Sequence, residues 1–308
     1  MKATVRTIML LTAVLFFSGV ANAEEPSKGT DSTGWKLSLD GALAATQSAY
    51  SDNWQGGELG SFNWTFTSNS SAEKKISPKL NWANTLKLSF GLTYSQKRLT
   101  DGTAKWQRPE KNTDLIDLES VARITLHGFV DPYVAGRLQT EFYDGSVRAV
   151  KRFFSPATIT ESGGMLRVFA DGAKSESHYK VTLKSRFGFG LRQIITSVII
   201  DTAAETTSSN TTNDGGLESV TDLNIEVGKD IKYTGKLTLY KALFFSESDT
   251  APNDDWKSVD VNWEHIITAQ VTKYIQTSLY VQLLYDKQID TGARIKQTLG
   301  MGVSVNIL

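Results

Sequence analysis

The chain has 308 residues, no cysteine, and 33 basic against 33 acidic residues. A chain without cysteine has no disulfide and no thiolate metal site, and we expect no lipid anchor on an N-terminal cysteine. The balanced charge gives no reason to expect nucleic acid as a partner.

The first residues have the pattern of a secretory signal peptide. Lys2 and Arg6 precede an apolar run over Ile8–Val20, which the small residues Ala21-Asn22-Ala23 follow. The run is too short to span a bilayer as a stable helix. We therefore predict a signal peptide over 1–23, with cleavage after its last residue.

Period-two alternation dominates the rest of the chain. In Leu80–Tyr94 the even positions are apolar or aromatic, except for Asn84, and the odd positions are mostly small or polar. Such a period indicates a β-strand with two different faces and excludes a helix. The last segment, 294–307, repeats the pattern.

The length of these segments indicates a membrane barrel. A tilted membrane strand needs about 9–11 residues, whereas strands of soluble sheets have about five or six. Long polar connections, such as Gln193–Gly216 with its Ser/Thr/Asn-rich part Thr206–Asn213, alternate with short turns, as in bacterial outer-membrane barrels. A soluble antiparallel sheet would also alternate, so strand length decides between the two. The predicted strands are 35–47, 60–69, 80–96, 113–128, 132–142, 162–170, 177–192, 217–228, 231–246, 256–271, 274–286 and 294–307.

These patterns predict an all-β protein with a single antiparallel, up-and-down transmembrane β-barrel of about 12 strands over 35–308. A short periplasmic segment over 24–34 precedes it. The long connections would face the outside of a Gram-negative outer membrane. The expected partners are outer-membrane lipids and the barrel assembly machinery.

Aromatic residues near the strand ends predict two interfacial girdles on the lipid-facing side. The periplasmic girdle would contain Trp35, Trp82, Tyr179 and Tyr233, and the external one Phe62, Tyr94, Phe142 and Tyr285.

The sequence resembles an uncharacterised family of outer-membrane barrels known only as a domain of unknown function. The similar segments are Asn53–Gly57, Ser155-Pro156-Ala157 with Glu161-Ser162, Val259–Glu264, Thr272-Lys273-Tyr274 and Leu284-Tyr285-Asp286. The resemblance implies an outer-membrane location and a barrel fold, and it implies no activity. The chain ends on Ile307-Leu308, whereas such barrels commonly end on an aromatic residue.

Charged residues at inward positions predict a polar lumen, because such charges are tolerated only beside water or each other. The predicted lumen-lining residues are Lys87, Arg123, Arg137, Lys180, Lys184, Arg186, Asp222, Glu226, Asp260 and Glu264, and the same parity includes Arg167. The strand with Lys180–Arg186 should pair with the strand that carries Asp222 and Glu226. We expect basic residues on one side of a narrow path and acidic residues on the other; the alternative is a closed plug of ion pairs.

Three functions follow from this reading. A narrow passive channel or small-solute pore comes first, and a non-conducting structural or binding barrel that acts through its extracellular loops comes second. An outer-leaflet lipid hydrolase would need a Ser–His pair, and neither His127, His178 nor His265 is well placed for one. We therefore expect no enzymatic activity, no cofactor and no metal site.

Overall fold

The computed structural model describes residues 34–50, 58–126, 128–147, 149–172, 179–273 and 275–306, apart from the side chains of 304–306. The predicted signal peptide, the Asn53–Gly57 segment, His127, His178 and Ile307 lie outside these residues.

Within the described residues, the main sheet has thirteen strands. One of them, Ala104–Trp106, pairs only with the end of the strand Leu80–Arg98. The other twelve form a closed antiparallel ring, because the first strand pairs with both the second and the last. The predicted all-β, up-and-down barrel is therefore confirmed. Its strands are β1 (Lys36–Ser48), β2 (Ser61–Lys75), β3 (Leu80–Arg98), β4 (Glu110–Ile124), β5 (Asp131–Thr140), β6 (Ala157–Ala170), β7 (Tyr179–Asp201), β8 (Thr206–Val227), β9 (Ile231–Phe245), β10 (Val259–Gln270), β11 (Ile275–Tyr285) and β12 (Arg294–Asn306).

Little other secondary structure is present in these ranges. A two-stranded ladder joins Tyr143–Asp144 to Arg152–Phe153 in the loop after β5, and Asp255–Lys257 forms one 3₁₀ turn before β10. The described residues contain no helix long and apolar enough to cross a membrane.

The alternation separates an apolar outer face from a polar inner face. On β1 and β12, Leu43 and Met301 point outward and are 48% and 65% exposed. Their neighbours Ala42 and Gly300 point inward, because successive side chains of a strand face opposite sides. The same parity holds around the ring, since directly paired residues share a face.

The hairpin of β7 and β8 differs from the prediction. The segment Gln193–Gly216 was expected to be a loop, but the strands continue to Asp201 and resume at Thr206. β6 pairs with β7 only as far as Ile195, so the rest of the hairpin extends beyond the neighbouring strand. The prediction failed because exposed threonines read as loop residues, although threonine favours strands.

The loop after β5 folds back onto the barrel. The carboxylate of Asp114 accepts hydrogen bonds from the backbone N–H groups of Phe142 and Tyr143, at 2.7 and 3.2 Å. Arg152 donates to the carbonyl of Ser197 at 2.8 Å and also contacts Asp144. The loop is therefore fixed to both β4 and the projecting part of β7.

Candidate functional site in the barrel interior

An ion pair crosses the lumen between β3 and β10. The Nζ of Lys87 lies 3.3 Å from Oε2 of Glu264, whose side chain is almost fully buried. Arg137 on β5 lies 4.0 Å from the other oxygen of Glu264 and binds Asp117 with two hydrogen bonds of 2.8 and 2.7 Å. This group ties strands from opposite sides of the ring together.

A second buried group lies beside the first. Glu119 on β4 accepts a hydrogen bond from the guanidinium of Arg186 on β7 and another, of 2.7 Å, from Lys236 on β9. Each of these three side chains is at most 10% exposed. A buried carboxylate is tolerated here because two cations and their hydrogen bonds offset its desolvation.

A third group lies nearer the long-loop end. Arg192 on β7 bridges Asp214 and Asp260, with 2.9 Å to each carboxylate. The hydroxyl of Tyr240 donates to Asp214 at 2.5 Å, and the guanidinium lies 4.3 Å from the centre of its ring. Arg192 thereby joins β7, β8 and β10 on the inner face.

The Lys87–Glu264 pair divides the ring of strands into two arcs. The arc from β4 to β9 carries the buried charged groups described above. The other arc comprises β11, β12, β1 and β2, and we call it the small-residue arc. Its register places short inward side chains opposite one another: Ala42 with Thr67, Ala44 with Thr65 and Gly302, and Ser278 with Gly300.

Solvent reaches the interior along the small-residue arc. Asn69 and Thr298 lie on the inward parity and are exposed. A Cβ built on Gly300 would lie 3.7 Å from Oγ of Ser278, an ordinary van der Waals distance, so a methyl group would fit here without a clash. The larger or charged inward members of the arc include Asp40, Tyr280 and Lys296, and the last donates to Thr113 at 3.1 Å. The two arcs thus differ in both side-chain size and charge.

The remaining predicted lumen residues lie toward the short-turn end. Lys180 on β7 pairs with Glu226 on β8 at 3.8 Å, and both side chains are about half exposed or more. Lys184 lies directly opposite Asp222 in the same ladder. Arg123 comes within 4.0 Å of Asp131, next to the turn that follows β4.

The expected separation of basic and acidic walls is wrong. β7 and β8 are neighbours with the expected register, but acidic residues of β4 lie among the cations. Glu119 is bound by Arg186 and Lys236, and Asp117 by Arg137. Opposite charges mix because each buried cation needs a nearby anion to offset its desolvation.

The predicted girdle residues lie on the outer face near the strand ends. The rings of Trp35 and Trp82 are 5.5 Å apart, and Tyr94 lies 6.2 Å from Phe62 at the opposite end. Tyr179 is 55% exposed, and Tyr285 shares the outward parity through its partner Val261.

Tyr233 explains the position of His265. The Tyr233 hydroxyl lies 2.7 Å from Nδ1 of His265, and the ring of His265 packs against Trp263 on the outer face, with the ring centres 4.5 Å apart and the planes tilted by 57°. An outward histidine is accommodated by this hydrogen bond and by the neighbouring ring. Its contacts are those of an interfacial residue.

The structure corrects the inward placement of Arg167. Arg167 points outward, with its guanidinium carbon 3.6 Å from the ring centre of Phe129 and 5.1 Å from that of Phe169. Leu166 takes the inward position and is buried opposite Arg186. The error arose because both parities of β6 contain apolar residues, so alternation did not distinguish its faces.

One family model matches part of the chain. Residues 45–145 match a family described as a protein of unknown function (DUF3078). This agrees with the resemblance to a domain of unknown function. No curated protein is detectably similar in sequence.

Two solved barrels are similar over most of the chain. One is an outer membrane channel from Pseudomonas putida F1, with 10% identity, a TM-score of 0.44, and coverage of 92% of this chain and 99% of that one. The other is the translocator domain of the autotransporter NalP from Neisseria meningitidis, with 9% identity, a TM-score of 0.34, and coverage of 89% and 88%. Scores this low assign no function.

Sequence reasoning missed several interior residues, among them Arg192 and Asp214. Arg192 stood at the last position of a predicted strand, and Asp214 fell within the predicted loop Gln193–Gly216. Alternation continued to Arg192 along β7, and back to Asp214 along β8, would have placed both on the inward face, where the structure pairs them directly.

Proposed function

We propose that the protein is an outer-membrane barrel that forms a narrow, passive channel for small solutes. The observation that carries this proposal is the division of the interior by Lys87 and Glu264. The arc from β4 to β9 carries paired charges that fill its side of the interior, whereas the short side chains of the small-residue arc leave space on the other side.

The outer face supports a location in lipid. Large apolar side chains such as Phe187, Met165 and Leu299 are 57%, 51% and 70% exposed on strands of the closed ring. An apolar band of this extent is costly in water and is favoured in hydrocarbon. Aromatic residues near both ends of the strands match the interfacial girdles of such barrels.

The lining of the small-residue arc supports a weakly selective path. Its short inward residues include Ser38, Ala42, Thr67 and Gly300, which carry no charge. The buried cations of the other arc are already paired with carboxylates. Asp40 and Lys296, the charged inward residues of this arc named above, have opposite signs, so the path should discriminate little between cations and anions and should limit solutes mainly by size.

Planar-bilayer recording of the refolded full-length protein tests the proposal. We expect small, uniform current steps with a reversal potential near zero in a potassium chloride gradient. A folded and inserted protein that gives no steps would contradict conduction. Large steps of the size seen for wide porins would contradict a narrow path.

A non-conducting barrel that acts through its loops is the second candidate. The observation that favours it is the hairpin tip beyond Ile195 and Asp214, which stands clear of β6 and β9. Such a projection offers an exposed surface for a partner. Absence of current together with a phenotype from deletion of 197–209 would favour this candidate.

The route to the membrane is part of the proposal. The signal peptide over 1–23 directs export, and the barrel assembly machinery then inserts the strands. N-terminal sequencing of the protein from purified outer membranes should begin at Glu24. A start at Met1, or recovery in the soluble periplasmic fraction, would contradict this route.

A further inference from the structure

A row of polar and small residues crosses the outer face of the barrel. Asn84 on β3 pairs with Ser120 on β4, Ser120 with Gly136 on β5, and Gly136 with Glu161 on β6. Directly paired residues share a face, and Trp82, a girdle residue of that face, donates to the Ser120 hydroxyl at 2.8 Å. We call these four residues the polar row.

Apolar residues flank the polar row on both sides. Toward the long-loop end, Leu86, Leu118, Leu138 and Ile159 form the next outward row. Toward the short-turn end, the next outward row is Trp82, Ala122, Val134, Gly163 and Phe189. On β3 the polar row lies next to the girdle residue Trp82, whereas on β6 Glu161 lies between the outward residues Ile159 and Gly163.

The surface around the polar row is concave. A groove of about 510 Å³ is lined by Ser120, Val134, Gly136, Glu161, Gly163 and Phe189, among others. The glycines leave the backbone uncovered at its centre: a Cβ built on Gly136 would meet no atom within 4 Å. Small residues of this kind let two membrane proteins approach closely.

Glu161 has no ion-pair or hydrogen-bond partner among the residues that the structure describes. A carboxylate that faces hydrocarbon at this depth is costly. Lipid tails offer it no donor, whereas a protein surface with hydroxyl or amide groups does. The carboxylate is therefore better accommodated in a protein contact than in lipid.

We propose that a second copy of this chain docks on the polar row and forms a symmetric dimer in the membrane. The row is self-complementary, because it carries donors at Asn84 and Ser120 and an acceptor at Glu161. A two-fold interface brings the same patch of both copies together. In such a contact the donors of one copy face the surface that carries the carboxylate of the other, across the shallow glycine surface.

Cysteine cross-linking in native outer membranes tests this dimer, since the chain has no cysteine of its own. Gly136→Cys places a thiol at the centre of the row. Gly41→Cys on β1 is the matched control, because Gly41 also faces outward and a Cβ there meets nothing within 4 Å. With a short bis-maleimide reagent, we expect a species of twice the monomer mass from Gly136→Cys and only monomer from Gly41→Cys.

Three results of this experiment would overturn the proposal. These are no cross-link from Gly136→Cys, equal cross-linking of both variants, and a product whose mass shows a different protein. The proposal requires insertion in the membrane but not conduction. A barrel that inserts and conducts without cross-linking refutes the dimer alone, whereas a barrel that cross-links without conducting refutes the channel alone.

Glu161→Leu provides a second measurement. If Glu161 binds the other copy, the variant should shift the monomer–dimer equilibrium toward monomer by about a hundredfold, the effect of losing two charge-assisted hydrogen bonds, one from each copy. Native mass spectrometry in detergent would measure this shift, and heat-modifiable gel mobility would confirm folding. An unchanged equilibrium, with a more stable barrel, would show that Glu161 merely faces lipid.

Discussion

Lys87 on β3 donates a hydrogen bond to Glu264 on β10, with 3.3 Å between Nζ and Oε2, and so joins opposite sides of the barrel. Glu264 also accepts from Asn262 at 3.3 Å and lies 4.0 Å from Arg137. One carboxylate thus holds two cations in the interior. Its loss would remove the carboxylate that binds Lys87, whereas Arg137 would keep its hydrogen bonds to Asp117.

We therefore expect Glu264→Ala to reduce the free energy of unfolding by about 3–5 kcal/mol, the usual effect of breaking a buried ion pair. Glu226→Ala is the control, because its pair with Lys180 is exposed and should contribute about 0–1 kcal/mol. Urea unfolding in lipid vesicles, followed by tryptophan fluorescence, measures both. Equal losses of unfolding free energy in the two variants would contradict the proposed difference between the barrel interior and its short-turn end.

The lipid-facing side can be tested on a single strand. Leu88→Arg places a charge on the outer face of β3 and should cost about 2–4 kcal/mol at the depth of the bilayer. Thr85→Arg on the same strand faces inward at an exposed position, opposite Glu119, and should cost much less. Folding yields in vesicles compare the two variants, and similar losses would refute the assignment of faces.

The loop after β5 should depend on pH through Asp144. Partial burial raises the pKa of Asp144, but hydrogen bonds from Ser146 and the charge of Arg152 lower it more, so it lies below its ordinary value of 3.8. The folded loop therefore favours the charged carboxylate. Its contribution to the stability of the loop is complete above the ordinary pKa and is lost as the pH falls through the folded-state pKa.

Hydrogen exchange of the loop over 141–147 should therefore accelerate as the pH is lowered below 3.8, after correction for the intrinsic rate. Asp144→Asn should give the faster exchange already at neutral pH and should weaken the additional pH effect. A variant with unchanged protection at neutral pH would show that the contact of Asp144 with Arg152 does not hold the loop.

The orientation of the barrel follows from its two kinds of connection. An epitope inserted between Ala203 and Ala204, at the tip of the β7–β8 hairpin, should be detected on intact cells. One inserted between Lys229 and Asp230, in the turn between β8 and β9, should be detected only after permeabilisation. The reverse pattern would invert the orientation, and detection of both on intact cells would argue against a membrane barrel.

Alternation was sufficient to predict the barrel, because a buried or lipid-facing side imposes a period of two on each strand. It was insufficient where both faces contain similar residues. On β6, Leu166 and Arg167 exchange their expected sides, and in the β7–β8 hairpin exposed threonines concealed the strand.

The interior could be predicted only as a set of inward charges. Parity placed Lys87 and Glu264 inside, but sequence does not show which strands face each other across the lumen. The pairing of Glu119 with both Arg186 and Lys236 depends on the closure of the ring and on side-chain reach. Asn84 was visible as an exception within an apolar face, but its row with Ser120 and Glu161 required the register of the neighbouring strands.

The central claim is that solutes pass along the small-residue arc, and single-channel recording of Ala42→Trp tests it most directly. Ala42 points inward on that arc, opposite Thr67, whereas Leu43 points outward and is 48% exposed. We expect Ala42→Trp to reduce the current per channel severalfold and Leu43→Trp to leave it unchanged. Unchanged current in a correctly folded Ala42→Trp barrel would contradict the account.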